Sequence, residues 1–336
     1  MKYDIITFGS ASRDIFLKSK NFLVVGQKKF VTGKGLCLSL GSKIDVEDIC
    51  FLTGGGGTNT AATFASQGLK TAFCGMVGDE PAGEALVEEL KKFKIDTKFI
   101  SKTKKKTTNY SVVLSSGRRE RTILTYRGAA GELSNKNIPW SKLKAKWLYL
   151  APLSGKLARL SEQLVNFAKQ KGMKVAMNPG NSQLSLPKAR LERILKKVDV
   201  LFLNQEEASI LTKIPYKKEI EIFKKIDKLV PGIFVMTKGS QGVVVSDGEH
   251  LYRSGIIKVK AVDWTGAGDS FSSGFLSGFI FSKGDIKYAI QLGMANSSAC
   301  LTELGAKNGL LKKKDKWEKV KVKIESCLKN NHCKIK

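Results

Sequence analysis

The sequence predicts an α/β protein: a central, mostly parallel sheet covered by helices on both faces, with a small β-lid. Three observations lead there. Short apolar runs alternate with helical stretches over most of the chain, and the connections between them are short. That is the pattern of parallel strands joined by crossover helices. Two segments, about 15–52 and 108–127, interrupt the alternation with strand-like sequence and supply the lid.

Tyr3–Phe8 is a β-rich apolar run that ends at Gly9-Ser10, as a buried first strand does. Residues 15–52 follow, with Phe16, Leu17, Val24, Val25, Leu36, Leu38 and Leu40 in a strand-like pattern and no helical period. Residues 58–68 and 80–94 read as helices on either side of a strand at Lys70–Met76. Two lid strands, Asn109–Ser115 and Arg121–Tyr126, flank a Ser115-Ser116-Gly117 turn. Strands at Trp147–Leu150, Lys174–Met177, Val198–Leu203 and Ile233–Thr237 then alternate with helical stretches at 156–171, 187–196, 205–211 and 216–230. Right-handed crossovers align the carboxyl ends of such strands along one edge, where ligands bind.

From Gly242 the texture changes to short strands up to about residue 262, then helices at 268–282 and 284–303. Trp317, Val320, Ile324 and Leu328 recur at spacings of three and four, which predicts an amphipathic helix over 314–330 and a frayed end at 331–336. No repeat and no Pro- or Ser-rich linker is present. The expected organisation is one large domain over 1–312 with its lid, followed by a basic helix and tail over 313–336.

Charge is the unusual feature of the composition. The 336 residues carry 58 Lys+Arg against 30 Asp+Glu, a formal net charge of +28. An excess of this size raises the prospect of a polyanionic partner such as nucleic acid. Only nine of the 58 basic residues are arginine, the side chain suited to bidentate reading of phosphate and guanine. The excess is also local: residues 91–144 hold 15 basic and three acidic residues, and residues 306–336 hold 11 and three. A non-enzymatic nucleic-acid binder stays open as an alternative. Against it, the basic stretches lack the interleaved aromatics of RNA- or DNA-binding motifs. Cysteines at 37, 50, 74, 300, 327 and 333 form no C-x-x-C pair, and there are only two histidines, His250 and His332. Reduced thiols in a cytoplasmic protein are expected, with no Cys/His zinc site. No signal-peptide pattern and no apolar run long enough to span a membrane occurs.

Absent motifs exclude several chemistries. There is no G-x-x-x-x-G-K-[ST] phosphate loop, no G-x-S-x-G elbow and no protein-kinase H-R-D or D-F-G. The strongest feature present is Asp263-Trp264-Thr265-Gly266-Ala267-Gly268-Asp269, between a strand and a helix. Small residues at 266–268 let backbone N–H groups approach an anion at a helix N-terminus. Asp269 stands beside them, placed to take a proton from a hydroxyl. A glycine-rich loop with Asp as a helix cap fits the same residues on physics alone. The second feature is Gly54-Gly55-Gly56-Gly57-Thr58-Asn59, where four glycines precede a helix and again admit a polar ligand.

Together the two features resemble the signatures of the ribokinase-like (PfkB) carbohydrate kinases. Residues 54–62 are similar to the family's N-terminal glycine-rich signature, and 263–269 matches D-x-T-G-A-G-D, with Trp264 at the variable position. The resemblance covers roughly residues 3–310 and implies a ribokinase-like α/β/α sandwich that uses ATP and Mg2+.

It implies Asp269 as general base and Gly266, Ala267 and Gly268 as an anion hole for the transferring phosphoryl. Asp14, Gly55, Gly56 and Asn59 would hold the sugar. Asn204 and Glu207 match N-x-x-E, linked to magnesium and phosphate, the latter indirectly; as a bare pattern they are also a helix cap. Thr237, Lys238, Gly239 and Gly242 resemble the nucleotide-phosphate loop, and Asn296 a position near the adenine. Asp263 and Thr265 correspond to the monovalent-cation (K+) site of some members; loop bracing is the alternative.

The acceptor stays open between an unmodified sugar, a phosphorylated sugar and a nucleoside. Arg118, Arg119, Arg121, Arg127 and Lys104–Lys106 lie in or beside the lid, with Arg121 and Arg127 the better candidates to grip a phosphate. Phe16, Phe22, Phe30 and Tyr126 are the aromatic candidates to stack a base. The resemblance also implies a homodimer joined through the lid.

Overall fold

A computed structural model of the chain describes residues 2–28, 30, 33–116, 121–326 and 334–335. It opens with β1 (Tyr3–Phe8), then β2 (Ser12–Lys18), β3 (Leu23–Gly26), β4 (Lys34–Cys37), β5 (Asp48–Gly54) and α1 (Gly56–Ser66). Next come β6 (Thr71–Gly78), α2 (Pro81–Lys92), β7 (Asp96–Thr103), β8 (Asn109–Ser115) and β9 (Arg121–Tyr126). β10 (Ala145–Leu150), α3 (Leu160–Gln170), β11 (Lys174–Met177), α4 (Asn181–Leu184) and α5 (Lys188–Leu195) follow. Then come β12 (Val200–Asn204), α6 (Gln205–Thr212), α7 (Glu219–Asp227) and β13 (Ile233–Thr237). The chain finishes with β14 (Val243–Ser246), β15 (Leu251–Ser254), α8 (Ala267–Phe281), α9 (Ile286–Cys300), β16 (Val322–Ser326) and β17 (Lys334–Ile335).

One sheet of 11 strands runs β17-β16-β15-β14-β13-β12-β11-β10-β1-β6-β7. The pairs from β13 through β1 to β7 are parallel, and those from β13 to β17 are antiparallel. Every residue of β6 is buried, as a strand covered on both faces requires. Apolar clusters lie on both sides of the sheet. Leu148, Val175, Leu201 and Phe234 belong to one; Tyr149, Ala176, Phe202 and Val235 belong to the other, with Phe271 and Phe275 of α8. Strand alternation divides neighbouring residues between the two layers.

The strand order reverses at β1, which pairs with β6 on one side and β10 on the other. A reversal of this kind opens a crevice at the carboxyl ends of the strands. The lid stands at that edge as a four-stranded sheet, β5-β2-β8-β9. β3 and β4 form a separate hairpin, so the 15–52 segment divides between two small sheets. One face of the lid carries a cross-strand apolar row, Phe51–Ile15–Val112–Leu124, in which Phe51 is 52% and Leu124 56% exposed.

The C-terminal expectation is corrected. Residues 314–326 form no helix: Val322–Ser326 is β16, antiparallel to β15, so this segment edges the main sheet instead of appending a separate tail. Val320, Val322 and Ile324 alternate with Lys321, Lys323 and Glu325, and this period of two prevails over the three-and-four spacing. Lys334–Ile335 pairs with β16, so these two residues do not fray. Leu328, Arg118, Arg119, Gly117, Cys327, Cys333 and His332 lie outside the described residues. Among the described residues no helix is long and apolar enough to cross a membrane.

Candidate active site

Two helix N-termini converge on the crevice. α1 is capped by Gly55, whose φ of 96° suits glycine and whose Cβ position would lie 2.5 Å from the Ser10 carbonyl oxygen. α8 is capped by Gly266 at φ 79°, where a Cβ would collide with Ala306. Neither turn accepts a side chain without rearrangement. The glycines therefore let the chain fold back against β1 and the 305–307 segment and present both helix starts to one space.

That space is a cavity of about 480 Å3. Asp14, Gly55, Gly56, Asn59, Gly266 and Asp269 all line it, which brings the expected acceptor residues together. Asn59 Nδ2 donates to Asp269 Oδ2 at 2.8 Å. Burial raises the Asp269 pKa above the usual carboxylate value, and the Asn59 donation pulls it back. Asn59 Oδ1 is buried with no protein partner, an acceptor left for a ligand hydroxyl. Asp14 is buried on β2, between Leu52 and Ser111 in register. Ser12 Oγ donates to Asp14 Oδ1 at 2.8 Å. Burial raises the Asp14 pKa, opposed by the hydroxyls of Ser12 and Ser111 and the charge of Lys307.

A second cavity, of about 440 Å3, lies on the other side of the α8 start. Thr237, Gly239 and Gly242 line it together with Ala267 and Gly268. The first-turn N–H groups of a helix have no partner within it and favour an anion. The loop 264–269 thus divides the two cavities: Thr265, Gly266 and Asp269 border the first, Trp264, Ala267 and Gly268 the second.

Several expected residues fall elsewhere. Lys238 lines neither cavity; its Nζ donates to Glu219 Oε2 at 2.7 Å. Asn296 is fully buried, donating to the Ser270 carbonyl at 2.8 Å and accepting from the Leu311 amide at 3.0 Å. Its neighbours Met294, Ser297 and Ser298 line the second cavity in its place. Asn204 and Glu207 form a reciprocal helix cap on α6, each side chain accepting from the other's amide at 2.8 Å. Asn204 is paired in register with Thr237, so the cap stands beside the second cavity without lining it. Burial raises the Glu207 pKa. Among the described residues no cluster of His, Cys, Asp and Glu could hold a metal ion by itself.

The lid candidates also separate. Arg127 borders the first cavity and has no ion pair or hydrogen bond among the described residues. Arg121 does not border it; it pairs with Asp263. Phe16 borders a different cavity with Arg121, Phe22 is buried, Phe30 packs over Gly35, and Tyr126 is exposed. The aromatic side chain that does border the first cavity is Tyr110, which sequence reasoning missed. Lys106 pairs with Glu132 at 3.0 Å and Lys104 is exposed, while Lys156 borders the cavity unforeseen.

Sequence reasoning also missed Lys307. It is buried, bonds to Thr53 Oγ1 and lies 3.2 Å from Glu89 Oε2, and burial lowers its pKa. It ties the segment under Gly266 to the end of β5. Nothing in a lone lysine after Gly305-Ala306 signals this, since its partners are 218 and 254 residues away.

Two cavities divided by one helix start at the carboxyl edge of a parallel sheet are the arrangement of a small-molecule enzyme with two substrates. The chain belongs to the pfkB family of carbohydrate kinases, whose sequence profile matches residues 6–313. The ribokinase of Haemophilus influenzae is 29% identical over 270 residues, covering 76% of this chain and 83% of that protein. A nucleoside kinase of Methanothermobacter thermautotrophicus is 27% identical, covering 68% and 72%. The structure of Arabidopsis thaliana ribokinase complexed with ribose and ATP superposes with a TM-score of 0.75 at 22% identity, covering 94% of this chain and 97% of that one.

Proposed function

We propose that the enzyme transfers the γ-phosphoryl group of ATP to a hydroxymethyl group of a sugar bound under the lid. The observation that carries this is the position of Asp269. It borders the acceptor cavity, one residue from the Gly268 amide on the nucleotide side. Asp269 takes the hydroxyl proton as that oxygen attacks the γ-phosphorus, and the bond to ADP breaks. Gly266, Ala267 and Gly268 hold the charge of the group in transfer.

Asp14 accepts hydrogen bonds from two sugar hydroxyls, with Gly55, Gly56 and Asn59 completing the cradle. The nucleotide lies along Thr237, Gly239 and Gly242, with Ser297, Ser298 and Met294 toward its base. Mg2+ bound with the ATP phosphates would neutralise part of their charge. Glu207, held by its cap beside Thr237, would act on that ion at one remove. A cytoplasmic location accords with ATP use and with free cysteines at 37, 50, 74 and 300.

A second reading is favoured by Arg127 and Lys156, two exposed cations bordering the acceptor cavity. They suit an acceptor that carries an anionic group away from its reactive hydroxyl. A nucleoside is the third, with Tyr110 as the stacking partner. ADP release measured across ribose, fructose, their monophosphates and adenosine separates the three. Activity on none of them would reject the proposal.

The exposed row on the lid fits a second copy of the chain, because an apolar face of this kind is seldom left uncovered. Sedimentation is expected to give a dimer that Leu124→Lys dissociates. A monomeric wild type would reject the interface.

A further inference from the structure

Asp263 heads the loop that leads to the α8 start, and only 4% of it is exposed. Its Oδ1 accepts from the Thr265 amide at 3.0 Å and the Thr265 hydroxyl at 2.8 Å. Its Oδ2 accepts from the Gly305 amide at 2.9 Å. Gly305 precedes Ala306, against which Gly266 is packed. One carboxylate therefore braces both sides of the loop. Its charge is met by Arg121, whose guanidinium donates to Oδ1 from β9 of the lid, 142 residues away in sequence.

A monovalent cation at Asp263 and Thr265 needs open oxygens and a place free of positive charge. Oδ1 is taken up by Thr265 and Arg121, the Thr265 hydroxyl is turned to Asp263, and the guanidinium occupies the electrostatic position that an ion would need. These residues do not fit such an ion.

The geometry points to Arg121 as a positioning residue: it supplies from the lid the fixed positive charge that holds the Asp263–Thr265–Gly305 brace, and the enzyme needs no added monovalent cation. This rests on the kinase reading of the 263–269 loop. A buried carboxylate deprived of its partner reorganises its surroundings, and here those surroundings are the anion-hole backbone. Arg121 itself touches neither acceptor nor nucleotide cavity. Its loss is expected to fall on kcat more than on the acceptor KM.

The test is steady-state kinetics of the full chain in potassium-free buffer. Wild type is expected to be unaffected by added potassium chloride. Arg121→Ala is expected to lose on the order of 10–100-fold in kcat and to recover activity with methylguanidinium or potassium. Arg121→Lys, which keeps the charge, is expected to stay near wild type. A wild type that requires potassium would overturn the inference, as would full activity of the alanine variant. So would a folded alanine variant that neither cation restores. If the alanine variant does not fold, the lysine variant decides: folded but inactive, it overturns the assignment. ATP affinity by calorimetry requires no acceptor. If no acceptor is turned over, the kinase reading fails, while weaker ATP binding by Arg121→Ala, restored by methylguanidinium, still supports the brace.

Discussion

Asp269→Asn is expected to lower kcat by about 10²–10⁴-fold, the range in which a positioned general base contributes. The substitution keeps size and the capacity to bond Asn59, so ATP and acceptor affinities are expected to change little. The wild-type rate carries a second signature. Burial holds the Asp269 pKa above the ordinary carboxylate value. The base works only when deprotonated, so kcat/KM rises with pH through that raised value. Removing the Asn59 donation, which opposes burial, moves the limb further upward. Rapid-quench and steady-state pH profiles read both effects. A variant that keeps near wild-type turnover would sink the assignment.

Asp14→Ala is expected to raise the acceptor KM on the order of 100-fold or more, because two hydrogen bonds to a charged group are lost together. Asp14 is buried and held by Ser12 in the lid sheet, and it does not line the cavity beside Thr237 and Gly268. ATP affinity, measured by calorimetry, is therefore expected to stay unchanged. Asp14→Asn keeps the shape and one acceptor oxygen and is expected to fall between the two. Equal loss of ATP and acceptor binding in both variants would mean that Asp14 supports the lid as a whole instead of the sugar.

Much of the architecture was legible because its signals are local. The buried strands Tyr3–Phe8 and Ile233–Thr237 lie where short apolar runs end at polar or glycine residues. The two glycine-rich segments read as helix starts because glycine alone meets the turn at Gly55 and at Gly266. The C-terminal segment misled for an equally local reason. Trp317, Val320 and Ile324 satisfy a helical spacing, while Val320 to Glu325 satisfies strict alternation over the same residues. Which period prevailed depended on an open edge at β15, and that edge exists only in the folded sheet.

Part of the basic surface is accounted for by pairing that only the fold shows. Composition alone could not distinguish a polyanion-binding face from solvated lysine. In the fold, Lys98, Lys102, Lys106 and Lys169 sit in ion pairs with nearby carboxylates, the ordinary use of exposed charge. Arg121 and Arg127 looked alike as residues of one strand and its exit. The fold sent one to Asp263 and the other to the cavity that Asp14 and Asp269 line.

By itself, then, the sequence determined the α/β class, the lid and the two glycine-bounded helix starts. Each follows from neighbours a few residues apart. Only the tertiary structure decided that Asn59 meets Asp269, that Asn296 is sealed inside, that Lys307 is buried with Thr53, and that Arg121 serves Asp263. Those outcomes depend on which side chains the sheet order, the helix packing and the lid register bring within bonding distance, in three of the four cases across more than a hundred residues, and no local pattern encodes that contact.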